Sequence, residues 1–226
     1  MKRLNIGFFG HSTCSATGPR LFTTIVADHF NAHIVNLGSG QGSEERILFE
    51  LKKAPSLDIA VIFHSRPSSL FIPTCYRDFD VTKKKNNMEY YWPNETADNG
   101  VMLEAYHEGY GDVKKIFGTP EEFVNCVSYY KKYLYHPDLH LNRFQGALMM
   151  IDSYCNNRIP ATVHMIDDVY RPPWFSEFIS GVRSDKIEQY MKDYKTIDAP
   201  CGLSEMGHAK IASVLISLIT PQLEAK

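Results

Sequence analysis

Apolar residues in the opening third fall into short runs separated by longer periodic stretches. Leu4, Ile6, Phe8 and Phe9 form a compact run closed by Gly10, a length that suits a strand and is too brief for a helix. Residues 18–30 then carry Leu21, Phe22, Ile25, Val26 and Phe30 at three- and four-residue spacing, which predicts a helix with one buried face. Ile34 and Val35, ahead of Asn36-Leu37-Gly38, predict a second strand. Ser43 before Glu44 and Glu45 predicts the start of a second helix, with serine as cap and acids in the first turn. Asp58-Ile59-Ala60-Val61-Ile62-Phe63 is apolar at successive positions, as strands covered on both faces are. Strand, helix, strand, helix, strand is the order of a parallel sheet with helices on both sides.

Beyond residue 67 the periodicity stops, and Pro, Asn, Lys, Gly and aromatic residues dominate to about residue 118. That is too long for an ordinary connection and predicts an irregular, aromatic-rich insertion able to act as a lid. Helical spacing resumes over 123–135 and 139–154. A fourth strand is expected over 160–166, ending at Asp167-Asp168. Residues 184–194 read as helical, and 204–223 predict a final amphipathic helix with Ile211, Val214, Leu215 and Leu218 on one stripe. The 226 residues suit one α/β domain with a single insertion at 67–118.

Charge and cysteine content narrow the function classes. Twenty-four Lys plus Arg against 26 Asp plus Glu leave a formal charge of -2, so no overall field recruits nucleic acid or an anionic membrane. Lys83-Lys84-Lys85 beside Tyr90-Tyr91-Trp92 is read as a solvated loop, and no nucleic-acid partner is expected. No apolar run approaches the ~20 residues of a membrane span. Five scattered cysteines without a C-x-x-C pair argue against a disulfide framework or zinc knuckle, and point to a reducing, cytoplasmic setting. The stretch from Gly38 to Gly42 lacks the G-x-G-x-x-G spacing and follows the second strand, so no dinucleotide cofactor is implied. His136 and His140 have ligand spacing, but Pro137 intervenes and no third ligand is evident, so no metal is expected.

In an open parallel sheet the chemistry collects in the loops after the strands. Those loops are Gly10-His11-Ser12-Thr13, Asn36-Leu37-Gly38-Ser39-Gly40-Gln41-Gly42-Ser43 and His64-Ser65-Arg66-Pro67. Near the end stands Leu203-Ser204-Glu205-Met206-Gly207-His208. In this order the four blocks resemble the SGNH (GDSL-like) hydrolases, whose nucleophile follows the first strand in a Gly-Asp-Ser turn, here Gly10-His11-Ser12. The resemblance implies a three-layer α/β/α sandwich with a mostly parallel, flavodoxin-like sheet of four or five strands. It implies Ser12 as nucleophile and a backbone N–H from Gly40, Gln41 or Gly42 in the oxyanion hole.

Two departures bear on activity. The position of the family's catalytic histidine is held by Gly202, and that of its aspartate by Ala199, with Asp198 one residue away. Where the family has Gly-x-Asn-Asp, this chain has His64-Ser65-Arg66, leaving Ser65 or Arg66 to contact the oxyanion. A serine needs a neighbouring base, and His11, His64 and His208 are the candidates. Two readings follow: a serine esterase or deacylase acting on a small acylated substrate such as a carbohydrate ester, or a non-catalytic relative binding a glycan or partner protein in the same cleft.

Overall fold

The computed structural model describes residues 3–10, 14, 18–36, 38, 43–64, 69–73, 100–104, 125, 128–129, 132–133, 136–166, 178–183, 189–190, 193–194 and 203–225. Five parallel strands form one sheet: β1 (Leu4–Phe9), β2 (Ala32–Asn36), β3 (Ile59–His64), β6 (Ala161–Ile166) and the two-residue β7 (Val182–Arg183), in the order β2-β1-β3-β6-β7. Two further strands, β4 (Ser69–Pro73) and β5 (Gly100–Glu104), pair antiparallel with each other. They lie within the stretch whose lost periodicity predicted no regular element. The helices are α1 (Phe22–His29), α2 (Glu44–Lys53), α3 (Pro137–Arg158) and α4 (Glu205–Glu224). No helix among the described residues is long and apolar enough to cross a membrane.

The chain divides into two compact units, one comprising Met1–Arg66 with Arg143–Lys226, the other Pro67–Asn142. The first holds the parallel sheet. Because side chains alternate across a strand, its strands feed two separate cores. Ile6, Phe8, Ile59, Val61, Phe63, Val163 and Met165 pack with Phe22 and Val26 of α1 and Ile211 and Leu215 of α4. Phe9, Ala60 and Ile62 pack with Ile47 and Leu51 of α2 and Ile151 and Cys155 of α3. This is why residues 59–63 carry no polar position: every one is buried. In the second unit Tyr129 and Tyr133 stack on each other, 5.8 Å between centroids, and both are largely exposed.

Helix starts follow local chemistry. The Ser43 hydroxyl accepts from the Arg46 N–H and that of Ser204 from the Gly207 N–H, each satisfying a donor that the first turn leaves without a helical partner. Pro137 stands at the first position of α3, where its missing N–H costs nothing. Gly10 ends β1 at φ 123°, and a Cβ there would overlap the Phe63 carbonyl oxygen. No other residue type fits so close to β3.

Burial also changes one thiol. Cys155 is inaccessible on the inner face of α3; burial, reinforced by the negative charge of Asp152, pushes its pKa up to about 12. The unfolded chain therefore releases this proton at lower pH than the fold does. Stability contributed by the protonated thiol is complete below pH ~8.5 and is lost as pH rises towards 12, by about 1.4 kcal/mol per unit. Denaturant titrations between pH 8 and 11 are expected to show this slope in the natural chain and to lack it in Cys155→Ala.

Candidate functional site

The strand order points to where a ligand would bind. The chain steps from β1 outward to β2, then crosses back over β1 to β3, and in open parallel sheets such a reversal of order marks the carboxyl ends of the two strands as the expected binding position. Register places the end of β1. Phe9 pairs with Ile62, so Gly10 lies beside Phe63. Asn36, last in β2, donates its side-chain N–H to the Phe8 carbonyl at 2.8 Å, tying the start of the glycine-rich segment to β1. Ser12, His11, Gly40, Gln41, Gly42, Ser65 and Arg66 lie outside the described residues. His64 and His208 lie within them.

His64 is the last residue of β3 and is 1% exposed. Its Nδ1 lies 2.8 Å from Glu44 Oε2, and its Nε2 lies 2.9 Å from His164 Nδ1. The two imidazoles are nearly parallel, with centroids 5.2 Å apart and planes at 6°. This closeness follows from register: His164 on β6 pairs with Ile62, and His64 is two residues further along the same face. The far nitrogen of His164, Nε2, is 3.7 Å from Asp152 Oδ1 on α3. Asp152 is itself held fast. Its Oδ1 accepts from the Ser180 and Gly181 backbone N–H groups, each at 3.1 Å, and its Oδ2 from the Ser180 hydroxyl at 2.6 Å and Asn156 Nδ2 at 2.9 Å.

The result is a buried hydrogen-bonded row, Glu44–His64–His164, drawn from α2, β3 and β6, with Asp152 of α3 near its far end but beyond hydrogen-bond reach at 3.7 Å. An interior of low polarisability makes such contacts strong when satisfied and costly when broken. An ionised carboxylate only accepts, so His64 donates through Nδ1 to Glu44, and its other nitrogen accepts from His164 Nδ1–H. The order is assigned from the bonding partners. Glu44 had the sequence signature of a helix-start acid and nothing more. His164 stood inside an apolar strand, and Asp152 inside a helix, with no mark of their mutual contact.

His208 occupies different surroundings. It is 2% exposed on α4; its Nδ1 accepts from the Phe22 backbone N–H at 3.4 Å, and its ring stacks on Phe22 with 5.7 Å between centroids. Phe22 belongs to the core shared by α1 and α4, so His208 and His64 are on opposite faces of the sheet. A ring accepting from the first turn of α1 while filling the core beneath it performs a packing task. His140, of the pair considered for metal ligation, is buried at the start of α3; among the described residues no group of three His, Cys, Asp or Glu side chains is arranged to hold a metal ion.

Comparison with protein-family models and with curated proteins finds no match.

Proposed function

We propose that the chain is a serine esterase or deacylase of the SGNH type, with Ser12 as the nucleophile and a small acyl ester, such as an acylated carbohydrate, as substrate. The reading takes the architecture as a flavodoxin-like three-layer sandwich with residues 67–118 inserted after the third strand. The observation that carries it is the buried, carboxylate-backed imidazole of His64, the last residue of β3, a strand paired with β1, which Ser12 follows in the sequence. A histidine oriented by a carboxylate is the arrangement that activates a hydroxyl nucleophile and stabilises the imidazolium that forms. Backbone N–H groups of residues 40–42 complete the reading by receiving the oxyanion.

A second reading has an observation of its own. Both ring nitrogens of His64 are engaged by buried side chains, Nδ1 of His208 is taken by α1, and Gly202 stands where the family's histidine would. These favour a non-catalytic relative that binds a glycan or a partner protein at the same strand ends. An alkyl fluorophosphonate probe separates the two: the esterase is labelled at Ser12, as read by peptide mass spectrometry, whereas absence of adduct at Ser12 after prolonged incubation rejects the esterase and leaves the binder.

A further inference from the structure

We propose that His164 is a positioning residue for the first turn of α2, acting through His64 on Glu44. The purpose of that turn rests on the hydrolase reading above; the hydrogen bonds from Glu44 through His64 to His164 do not.

Glu44 is the first residue of α2, and an acid there ordinarily faces solvent while favouring the helix dipole. Here its side chain is wholly buried and turned inward onto His64. The start of α2 is thereby tied to the end of β3 by an interaction 20 residues long-range in sequence. His64 cannot hold that geometry alone, since an imidazole with one fixed nitrogen still pivots about it. His164 fixes the second nitrogen, from a β6 backbone paired on both sides to β3 and β7. Beyond it Asp152, 3.7 Å from His164 Nε2, is immobilised by donors from Ser180, Gly181 and Asn156 and bounds the space around the ring. Gly181 also packs flat against the His164 ring: a Cβ there would approach Cδ2 and Nε2 to 2.8 and 2.9 Å, so the ring has no room to swing that way.

The row matters because of where α2 begins. Residues 37–42 enter the helix at Ser43, whose carbonyl accepts from Ile47 N–H at 2.9 Å. Any rotation of Glu44 carries this junction with it. A second tie, Arg143 to Glu45 at 2.6 Å, is partly exposed and restrains the turn less. Under the hydrolase reading the same segment delivers an oxyanion donor, and a misplacement of 1 Å at such a donor costs on the order of 100-fold in rate.

The test uses His164→Leu, His164→Asn and Gly181→Ala in the full chain, with amide hydrogen exchange at Ile47 and Leu48 and steady-state kinetics on an acyl ester. Asparagine places an amide N–H near the position of Nδ1 and preserves the donor to His64; leucine removes it at similar bulk. His164→Leu is expected to speed exchange at Ile47 by about tenfold or more and to lower kcat by ~10- to 100-fold with KM within about threefold, whereas His164→Asn stays near the natural chain in both. Gly181→Ala, which pushes the ring without deleting it, is expected to follow His164→Leu and carries the comparison should the leucine variant not fold. Unchanged exchange in His164→Leu and Gly181→Ala overturns the proposal, as does an asparagine variant as impaired as leucine, since packing volume alone would then explain the effect. Absence of turnover in the natural chain defeats the hydrolase reading only; the exchange pattern still decides the positioning role.

Discussion

Ser12→Ala is expected to lower kcat/KM for acyl-ester hydrolysis by at least ~10³-fold while leaving unfolding free energy within about 0.5 kcal/mol of the natural chain. The rate term is large because under the proposed esterase reading the hydroxyl is the attacking atom: its loss would leave only the contributions of substrate binding and oxyanion donors, which survive nucleophile removal in serine hydrolases generally. The stability term is small because a serine in a loop after a strand contributes at most a local cap or turn bond. Parallel measurement of turnover and urea unfolding therefore separates chemistry from folding. Turnover that persists within tenfold in the alanine variant rejects Ser12 as nucleophile. Under the binding reading the outcome inverts: association with a glycan or partner is unchanged in Ser12→Ala and disappears on deletion of residues 83–100, where Tyr90, Tyr91 and Trp92 supply rigid contact area.

Much of the parallel sheet was legible in the sequence because burial on both faces leaves a plain mark. The runs read at 4–9, 58–63 and 160–166 match β1, β3 and β6 to within a residue at each end, and the cap expected at Ser43 is made. Strands without such a mark escaped notice. Two-residue β7 is too short for any period, and β4 and β5 lie where Pro, Asn and Lys interrupt the pattern. The loops that the sequence singles out for the site lie outside the described residues. Gly10 closes the first apolar run, and the structure adds that a side chain there would overlap the Phe63 carbonyl. His64 was suspect for ending a strand, yet Glu44, His164 and Asp152 are 20, 100 and 88 positions from it, and each has an ordinary local explanation: helix-start acid, strand residue, helix surface. Periodicity reports which face a residue occupies and says nothing of which residues on that face touch.

Removal of one member of this row should be far more damaging than removal of two. His64→Leu leaves the Glu44 carboxylate buried without its donor, and deprives His164 Nδ1 of its acceptor; truncating one partner of a buried charged pair typically costs about 3–5 kcal/mol. In a chain of this size that corresponds to a fall of about 10 °C in Tm. Glu44→Met combined with His64→Leu removes charge and imidazole together and fills the space with apolar atoms, so most of the loss is expected to be regained. What persists is the unmet bond of His164, about 1–3 kcal/mol. The cycle of two single variants and the double, read by urea unfolding, is expected to give a coupling of about 2 kcal/mol or more between Glu44 and His64; a coupling below about 0.5 kcal/mol would mean that the 2.8 Å contact carries no special energy. The double variant then becomes the sharper instrument for the positioning role. It restores stability without restoring the tie between α2 and β3, so a protein that folds nearly as well as the natural chain yet exchanges rapidly at Ile47 would assign the row to positioning, because stability alone no longer distinguishes the two; turnover decides nothing here, since this variant also lacks the proposed base.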